Sequence, residues 1–339
     1  MSDRLQLSDA EVVRLLESLS VPQPVRVRRS AEGGEHMVWF VNDDMVLRVP
    51  AAQGADLEPL RREQGLVDLL RAEAAMHAPE LTDALPEVLQ LGIAEQQDGI
   101  GGGWPFALCR KAAGVSVEEA PWAVTAATER DLAAFLALLG RDSTREAALK
   151  FGVPLVVVGE DEDEDEVLDG DLADMALKAW RRLRATNELG GDLANIDLEG
   201  YLGAATAAVY TMDEKEPVFA HADLKGEHIF VDAATGRLTG VIDWSDARAG
   251  ADAGTDVGGL AISIGARAAE RVVAAAAAAA GAGRSRDDAG VRRGLRAVRC
   301  EAVVRLDAVL RGADDSPEPL VRRQLARALE GLADDKDGS

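Results

Sequence analysis

Between Val25 and Pro50 three short runs rich in β-formers follow one another: "VRVRRS" (Val25–Ser30), "HMVWFV" (His36–Val41) and "MVLRVP" (Met45–Pro50). The turn-forming pieces "SAEGGEH" and "NDD" separate them, so they read as strands of one small sheet. A helix is expected over Leu57–Ala75, where Leu60, Leu66, Val67, Leu69 and Leu70 recur on one face. Two more strands, "EVLQLGIAE" and "WPFALCR", flank the glycine-rich turn "DGIGGG". From Ala113 onward the apolar period changes to that of helices, expected over Glu129–Leu139, Leu172–Glu188, Leu198–Tyr210, Ala261–Ala280, Val291–Leu310 and Leu320–Leu332. One β-hairpin interrupts them, "HIFVD-AATG-RLTGVID". That change of period marks a mainly β half followed by a mainly helical one. It predicts an α+β chain of two lobes, a small β-rich lobe carrying one main helix and a larger helical lobe, with a cleft between them.

The chain has 339 residues, enough for two cores. A net charge of −23 would repel a polyanion, so nucleic acid is not an expected partner, whereas a cationic small molecule would be attracted. The plainer reading of that charge is solubility. Cys109 and Cys300 lie far apart and form neither a disulfide framework nor a zinc spacing. The acidic, amphipathic start "MSDRLQLSDAEVVRLLESL" is not a signal peptide, and "VVAAAAAAAGAG" is too short to span a bilayer, so a cytoplasmic protein without membrane contact is expected. Seven consecutive carboxylates lie within "GEDEDEDEVLDGD" (Gly159–Asp171), which reads as a solvated loop because such a block repels itself.

The chemistry concentrates in "FAHADLKGEHIFVD", Phe219–Asp232, which holds two of the chain's four histidines. His228 lies five residues after Asp223, and the hairpin returns Asp243 of "VIDW" toward it. Phosphoryl transfer needs such a set: one aspartate to accept the hydroxyl proton, and two further groups to hold magnesium against nucleotide phosphates. The kinase pattern H-R-D-L-x-x-x-N, followed by a metal-binding aspartate, has this spacing. Here His221, Asp223 and Leu224 are kept, while Ala222 and His228 replace arginine and asparagine. A lone H-x-D often only caps a turn. It also occurs in 2-His-1-carboxylate iron sites, but those take their third ligand from a distant barrel strand, and this half is helical.

"VFAHADLKGEHIFVD" and "RLTGVIDWSDARAG" resemble the catalytic and metal segments of the aminoglycoside and macrolide phosphotransferases, antibiotic kinases of the protein-kinase-like fold. "MVLRVP", "IDWSDAR" and His228 are most similar to the macrolide 2′-phosphotransferases, and His228 is shared with the aminoglycoside 2″ enzymes. The resemblance implies Asp223 as the catalytic residue, His221 as its buttress, and His228 and Asp243 as magnesium ligands. It places Arg48 where kinases carry a phosphate-contacting lysine, with Glu63 as its helix partner and Glu58 the fallback. An exposed edge-strand charge is the plain alternative for Arg48. Gly33 and Gly34 of "SAEGGEH" would cover the phosphates. Cys109, Arg110 and Ala112 of "FALCRKAAG" would form the inter-lobe hinge, whose backbone meets the purine. The implied division is a nucleotide-binding lobe over residues 1–109 and a catalytic and substrate-binding lobe over 110–339, with the acidic loop at 159–171.

The family segment G-D-P-A-x-D reads "GADAGTDVGG" here, so its proline is missing and Asp256 arrives one residue late. Asp246, Asp252 and Asp256 are the expected substrate-side carboxylates. Together with the apolar run from Val257 they fit a macrolide first and an aminoglycoside second. Protein-kinase activation-loop features are absent, so a small-molecule acceptor is expected, with ATP or GTP as donor. The alternatives are a metabolic kinase for choline, homoserine or a sugar, and a pseudokinase that binds a partner. Retention of both Asp223 and Asp243 speaks against the pseudokinase.

Overall fold

The computed structural model describes residues 5–30, 36–95, 103–155, 162–208, 218–251, 254–279 and 288–332. A first helix, α1 (Asp9–Ser18), opens on a capping box in which Ser8 and Glu11 bond to each other's backbone N–H groups. The strands β1 (Val27–Arg29), β2 (His36–Val41) and β3 (Met45–Pro50) lead to α2 (Glu58–His77), then β4 (Val88–Ala94) and β5 (Trp104–Arg110). These form one antiparallel sheet in the order β1-β2-β3-β5-β4. Burial alternates along β2 and β3, putting Trp39, Leu47 and Val49 in a core with Val12, Leu16, Phe106 and Leu108. Each fully buried large apolar side chain there contributes about 1.5–3 kcal/mol.

The main helix serves two cores. Leu57, which precedes α2, and Leu60 of α2 pack on Ala107 and Cys109 of the sheet, whereas Leu66, Val67, Leu70 and Ala74 join the core of the helical half. Thus α2 connects the lobes rather than belonging to the sheet alone.

Beyond β6 (Val115–Ser116) come α3 (Ala126–Leu139), α4 (Asp142–Lys150), α5 (Glu162–Ala185) and α6 (Leu198–Ala208). The strands β7 (Val218–Ala220), β8 (Ile229–Val231), β9 (Leu238–Val241) and β10 (Arg248–Ala251) follow, and then α7 (Gly254–Ile264), α8 (Ala266–Ala279), α9 (Asp288–Leu310) and α10 (Glu318–Ala328). The expected hairpin is β8–β9, widened to three strands by β6, while β7 and β10 pair separately.

Two expectations are corrected, and two elements are new. Most of the acidic segment expected as a loop is the start of α5. Glutamate is a good helix former and carboxylates suit a helix N-terminus, but a block without apolar residues has no period to read. The single helix expected over Ala261–Ala280 is two, because Gly265 takes φ +96° between α7 and α8. Helix α4 and the β7/β10 pair were not anticipated. α4 is nine residues with only Thr144 and Ala148 buried, too little apolar pattern to stand out. Among the described residues no helix is long and apolar enough to cross a membrane.

Candidate active site

The hairpin register builds the site. Ile229 pairs with Val241, and the Ile242 N–H donates to the His228 carbonyl at 3.0 Å, so His228 and Asp243 emerge side by side beyond the last rung. Helix α3 fixes the far end: Thr128 Oγ1 donates to the Gly236 carbonyl, and Asp131 accepts from the Leu238 N–H. At the working end His228 Nε2 lies 3.6 Å from Asp243 Oδ2. The His228 Nδ1–H donates to the Asp223 carbonyl at 2.9 Å, which turns Nε2 toward the carboxylate.

His221 lies under this arrangement, fully buried, its ring 4.6 Å from that of Trp244. Its Nε2–H donates to the Ile242 carbonyl at 3.0 Å, and its Nδ1 accepts the Asp223 N–H at 3.3 Å. Burial pushes the His221 pKa down to about 4, so the ring is neutral at pH 7 and acts as a strut between catalytic loop and hairpin.

Asp256 requires a correction. Expected on the substrate side, it is buried beneath the loop, where its two oxygens accept the His221 N–H at 3.1 Å and the Ala222 N–H at 2.8 Å. Burial raises its pKa to about 6 against those two bonds. One turn later, a Cβ on Gly259 would stand 2.3 Å from the Leu224 carbonyl oxygen, so the glycine lets α7 approach the loop. Held this way, Ala222 takes φ +67°, and Asp243 takes φ +64°. Left-handed backbone at non-glycine residues is costly and marks over-determined functional segments.

From the sheet, Arg48 reaches into the same space. Its Nη1 bonds Glu63 Oε1 at 2.6 Å, and its Nη2 lies 3.6 Å from Asp243 Oδ1. Glu63, not Glu58, is therefore its partner; Glu58 pairs weakly with Arg61. Burial would discourage the guanidinium charge, but Glu63 and then Asp243 more than offset it, so Arg48 stays firmly protonated. Burial likewise opposes ionisation of Asp243, and Arg48, His228 and the Ser245 hydroxyl reverse this, holding it below the usual carboxylate range.

Two residues that the sequence reading passed over complete the cluster. Lys225 Nζ lies 3.1 Å from Asp223 Oδ2 and 2.9 Å from Glu227 Oε1, and Glu227 Oε1 is 3.6 Å from His228 Nε2. The signal was a lysine two positions after the aspartate in a strongly acidic chain.

The hinge expectation is refined as well. The Arg110 N–H donates to the Glu87 carbonyl and the Lys111 N–H to the Asp44 carbonyl, both at 2.8 Å, so neither is free for a purine. Cys109 is buried, and desolvation raises its thiol to about 11. Ala112 is the next backbone N–H along the chain. Gly33, Gly34 and Asp252 lie outside the described residues, and Asp246 is exposed.

As a cation site the set fits only in company. Among the described residues no group of three or more His, Cys, Asp or Glu could hold a metal alone. Magnesium prefers oxygen, so Asp243 would be its direct protein ligand, with phosphate and water supplying the other oxygens and His228 acting through a bound water.

A family profile described as "Phosphotransferase enzyme family" matches residues 26–295. The chain belongs to that family. Comparison with curated proteins gave no match. Among solved structures, this phosphotransferase is similar to the GDP complex of wild-type aminoglycoside 2'-phosphotransferase-IIIa. The two share 22% identity and a TM-score of 0.61, covering 97% of this chain and 100% of the other. The GDP and kanamycin complex of APH(2")-IIia gives 21%, 0.57, 97% and 99%. A choline/ethanolamine kinase family protein from Mesorhizobium loti gives 15%, 0.51, 97% and 95%. These likenesses establish the bilobal protein-kinase-like fold of the phosphotransferase.

Proposed function

We propose that the enzyme transfers the γ-phosphoryl group of ATP or GTP to a hydroxyl of an amine-bearing antibiotic. The observation that carries this reading is the convergence of Asp223, His228 and Asp243 at one end of the hairpin, facing Arg48 across the cleft. Asp223 accepts the hydroxyl proton, and the Asp223 carbonyl orients His228 so that Asp243 meets magnesium directly and Nε2 meets it through a bound water. Bound there, magnesium supplies charge neutralisation for the nucleotide phosphates. Arg48, positioned by Glu63, contacts the phosphates from the sheet side. The chain at Ala112 meets the purine, with residues 1–109 as the nucleotide-binding lobe and 110–339 as the catalytic lobe. Acceleration comes from positioning and charge, without a covalent enzyme intermediate. Two free buried cysteines suit a reducing, cytoplasmic setting.

The acceptor ranking rests on the carboxylates expected on the substrate side. Of the three carboxylates expected there, Asp256 serves the loop and only Asp246 is described and exposed. With Asp256 committed to the loop, fewer of these carboxylates remain for a polyamine, so a macrolide 2′-hydroxyl ranks first and an aminoglycoside hydroxyl second. The similar kanamycin complex supports the second, and the choline/ethanolamine kinase neighbour supports a metabolic amino-alcohol kinase as the rival class. The test is phosphate transfer from ATP or GTP to erythromycin, kanamycin and choline by the purified chain. Transfer to erythromycin is expected; transfer to choline alone would replace the antibiotic reading.

A further inference from the structure

The five-stranded sheet has two outer strands, β1 and β4, and they are finished differently. β1 is three residues long, and Arg26, Arg28 and Arg29 stand exposed on and beside it. Short, charged outer strands keep other chains from adding to a sheet. β4 runs for seven residues without one charged side chain, in a chain that is 29% charged. On it Ile93 is 57% exposed and Leu89 38%.

The ladder shows which backbone groups of β4 are open. The Arg110 N–H donates to the Glu87 carbonyl, so Arg110 at the end of β5 faces β4. By alternation Leu108, Phe106 and Trp104 face it too, and they bond Gln90, Gly92 and Ala94. Pro105, opposite Ile93, has no N–H to give. The N–H and C=O groups of Leu91 and Ile93 therefore point the other way, where among the described residues β4 has no strand beside it. A bulge interrupts the ladder between Val88 and Gln90, which leaves residues 90–94 as the regular stretch.

We propose that this edge joins two copies of the chain, β4 against β4, antiparallel, with the two-fold axis at Gly92. A two-fold contact must be self-complementary, and this strand is. Leu91 of each copy falls opposite Ile93 of the other, so their open N–H and C=O groups close four hydrogen bonds. The same pairing lays each exposed Ile93 side chain on the other copy's Leu91, which already packs on the cluster of Leu57, Leu60 and Cys109. Charge favours this meeting place. Two chains of net charge −23 repel over most of their surface, but here no like charges face each other. Glu95 falls opposite Leu89, and Glu87 is already paired with Arg110 at 2.6 Å. An acidic or basic partner would find no charge on the strand to select it. One strand pair buries less than a standard interface, so the dimer should be weak, with a Kd on the order of 10–100 μM.

Sedimentation equilibrium of the full chain over a range of concentrations measures the association, and hydrogen exchange locates it. The average mass should climb toward twice that of one chain. Exchange at the Leu91 and Ile93 amides should slow in step, while the Gly92 and Ala94 amides stay protected throughout. Ile93→Pro removes an N–H that the partner needs and β5 does not use, and Ile93→Lys puts a charge on the edge. Each should weaken association by about tenfold or more. The exchange measurement needs neither variant, so a variant that fails to fold leaves the assignment testable. Added salt should tighten the dimer, because it screens the repulsion of two acidic chains. A parent that stays monomeric into the millimolar range, a dimer in which both amides remain open, or one that salt disperses would overturn the proposal. Slow exchange at both amides in a chain that never dimerises would mean that its own residues cover the edge, and would overturn it too.

Discussion

The two edges of the cleft hold their charges by different means. On the sheet edge, Arg48 is positioned by side chains alone, through one ion pair to Glu63 on α2 and a longer one to Asp243. On the hairpin edge, the catalytic loop is fixed through its backbone. Asp256 takes two consecutive N–H groups, His221 bridges to the Ile242 carbonyl, and Gly259 lets α7 press on Leu224. Side-chain pairs between separate elements can lengthen or re-form as the elements shift, whereas buried backbone bonds persist until the loop unfolds. Under the proposed function, the edge assigned to the nucleotide is therefore adjustable and the edge assigned to the acceptor rigid. This suits a reaction in which a flexible triphosphate is drawn onto a preset proton acceptor.

If that contrast is right, substitutions on the rigid edge should change rate or stability, and those on the adjustable edge should change affinity. The largest effect is expected from Asp223→Asn, which removes the proton acceptor while keeping size. Turnover should fall about 10²- to 10⁴-fold, or about 3–5 kcal/mol of barrier, with nucleotide Kd nearly unchanged. Steady-state kinetics beside calorimetric titration would check it; a variant merely less stable and fully active would remove Asp223 from the mechanism.

Next comes the pH response of the buried pair. His221 has an ordinary value of 6.5 and a folded value of about 4, so its stabilising effect is present above pH 6.5 and lost as pH falls toward 4, by about 3 kcal/mol. Asp256 runs the other way: its folded value of about 6 lies above 3.8, so the fold gains about 3 kcal/mol from it as pH falls through that window. In the parent the two nearly cancel. His221→Gln keeps a donor for the Ile242 carbonyl but cannot titrate, so on acidification to pH 4 it should gain about 3 kcal/mol relative to the parent. Parallel denaturation curves across that range would show that the pair is not coupled to folding as described.

Glu63→Gln sharpens the adjustable side. Without the carboxylate, Arg48 turns to Asp243, already 3.6 Å away, and neutralises the group meant for the cation. Affinity for the magnesium–nucleotide should weaken about tenfold, near 1.4 kcal/mol, with kcat at saturation little changed. A fall in kcat at constant Kd would make Arg48 part of the rigid edge.

Much of this was legible beforehand because it is local. Asp223, His228 and Asp243 are joined by a short loop and a hairpin whose register follows from alternation, and Arg48 meets Glu63 across the β3–α2 connection. What escaped depends on distant packing. Asp256 looked like a substrate-side carboxylate because its partners lie 34 and 35 residues earlier. The Arg110 N–H looked free because its acceptor, Glu87, lies 23 residues earlier, just before β4. Lys225 was hidden for a different reason: lysine in a loop is ordinarily solvated, and only its two carboxylate contacts single it out.

The smallest effect bears on how the rigid edge is held. Ala222 sits at φ +67°, where an L-residue's Cβ crowds the following carbonyl at a cost of about 1–2 kcal/mol. Asp256 holds it there through the 2.8 Å bond to its N–H. Ala222→Gly relieves the crowding but adds freedom to the unfolded chain, which takes back about 0.4–1 kcal/mol. The net should be a stabilisation of about 0.5–1 kcal/mol. Nucleotide Kd should stay fixed, because no side chain that meets the nucleotide moves. Turnover should also hold, since the Asp256 bonds that set the loop remain. Chemical denaturation at pH 7 measures the first quantity and steady-state kinetics the last. A variant that is more stable but slower would mean that the strain at Ala222 itself aims Asp223, and that the loop is held in tension rather than simply braced.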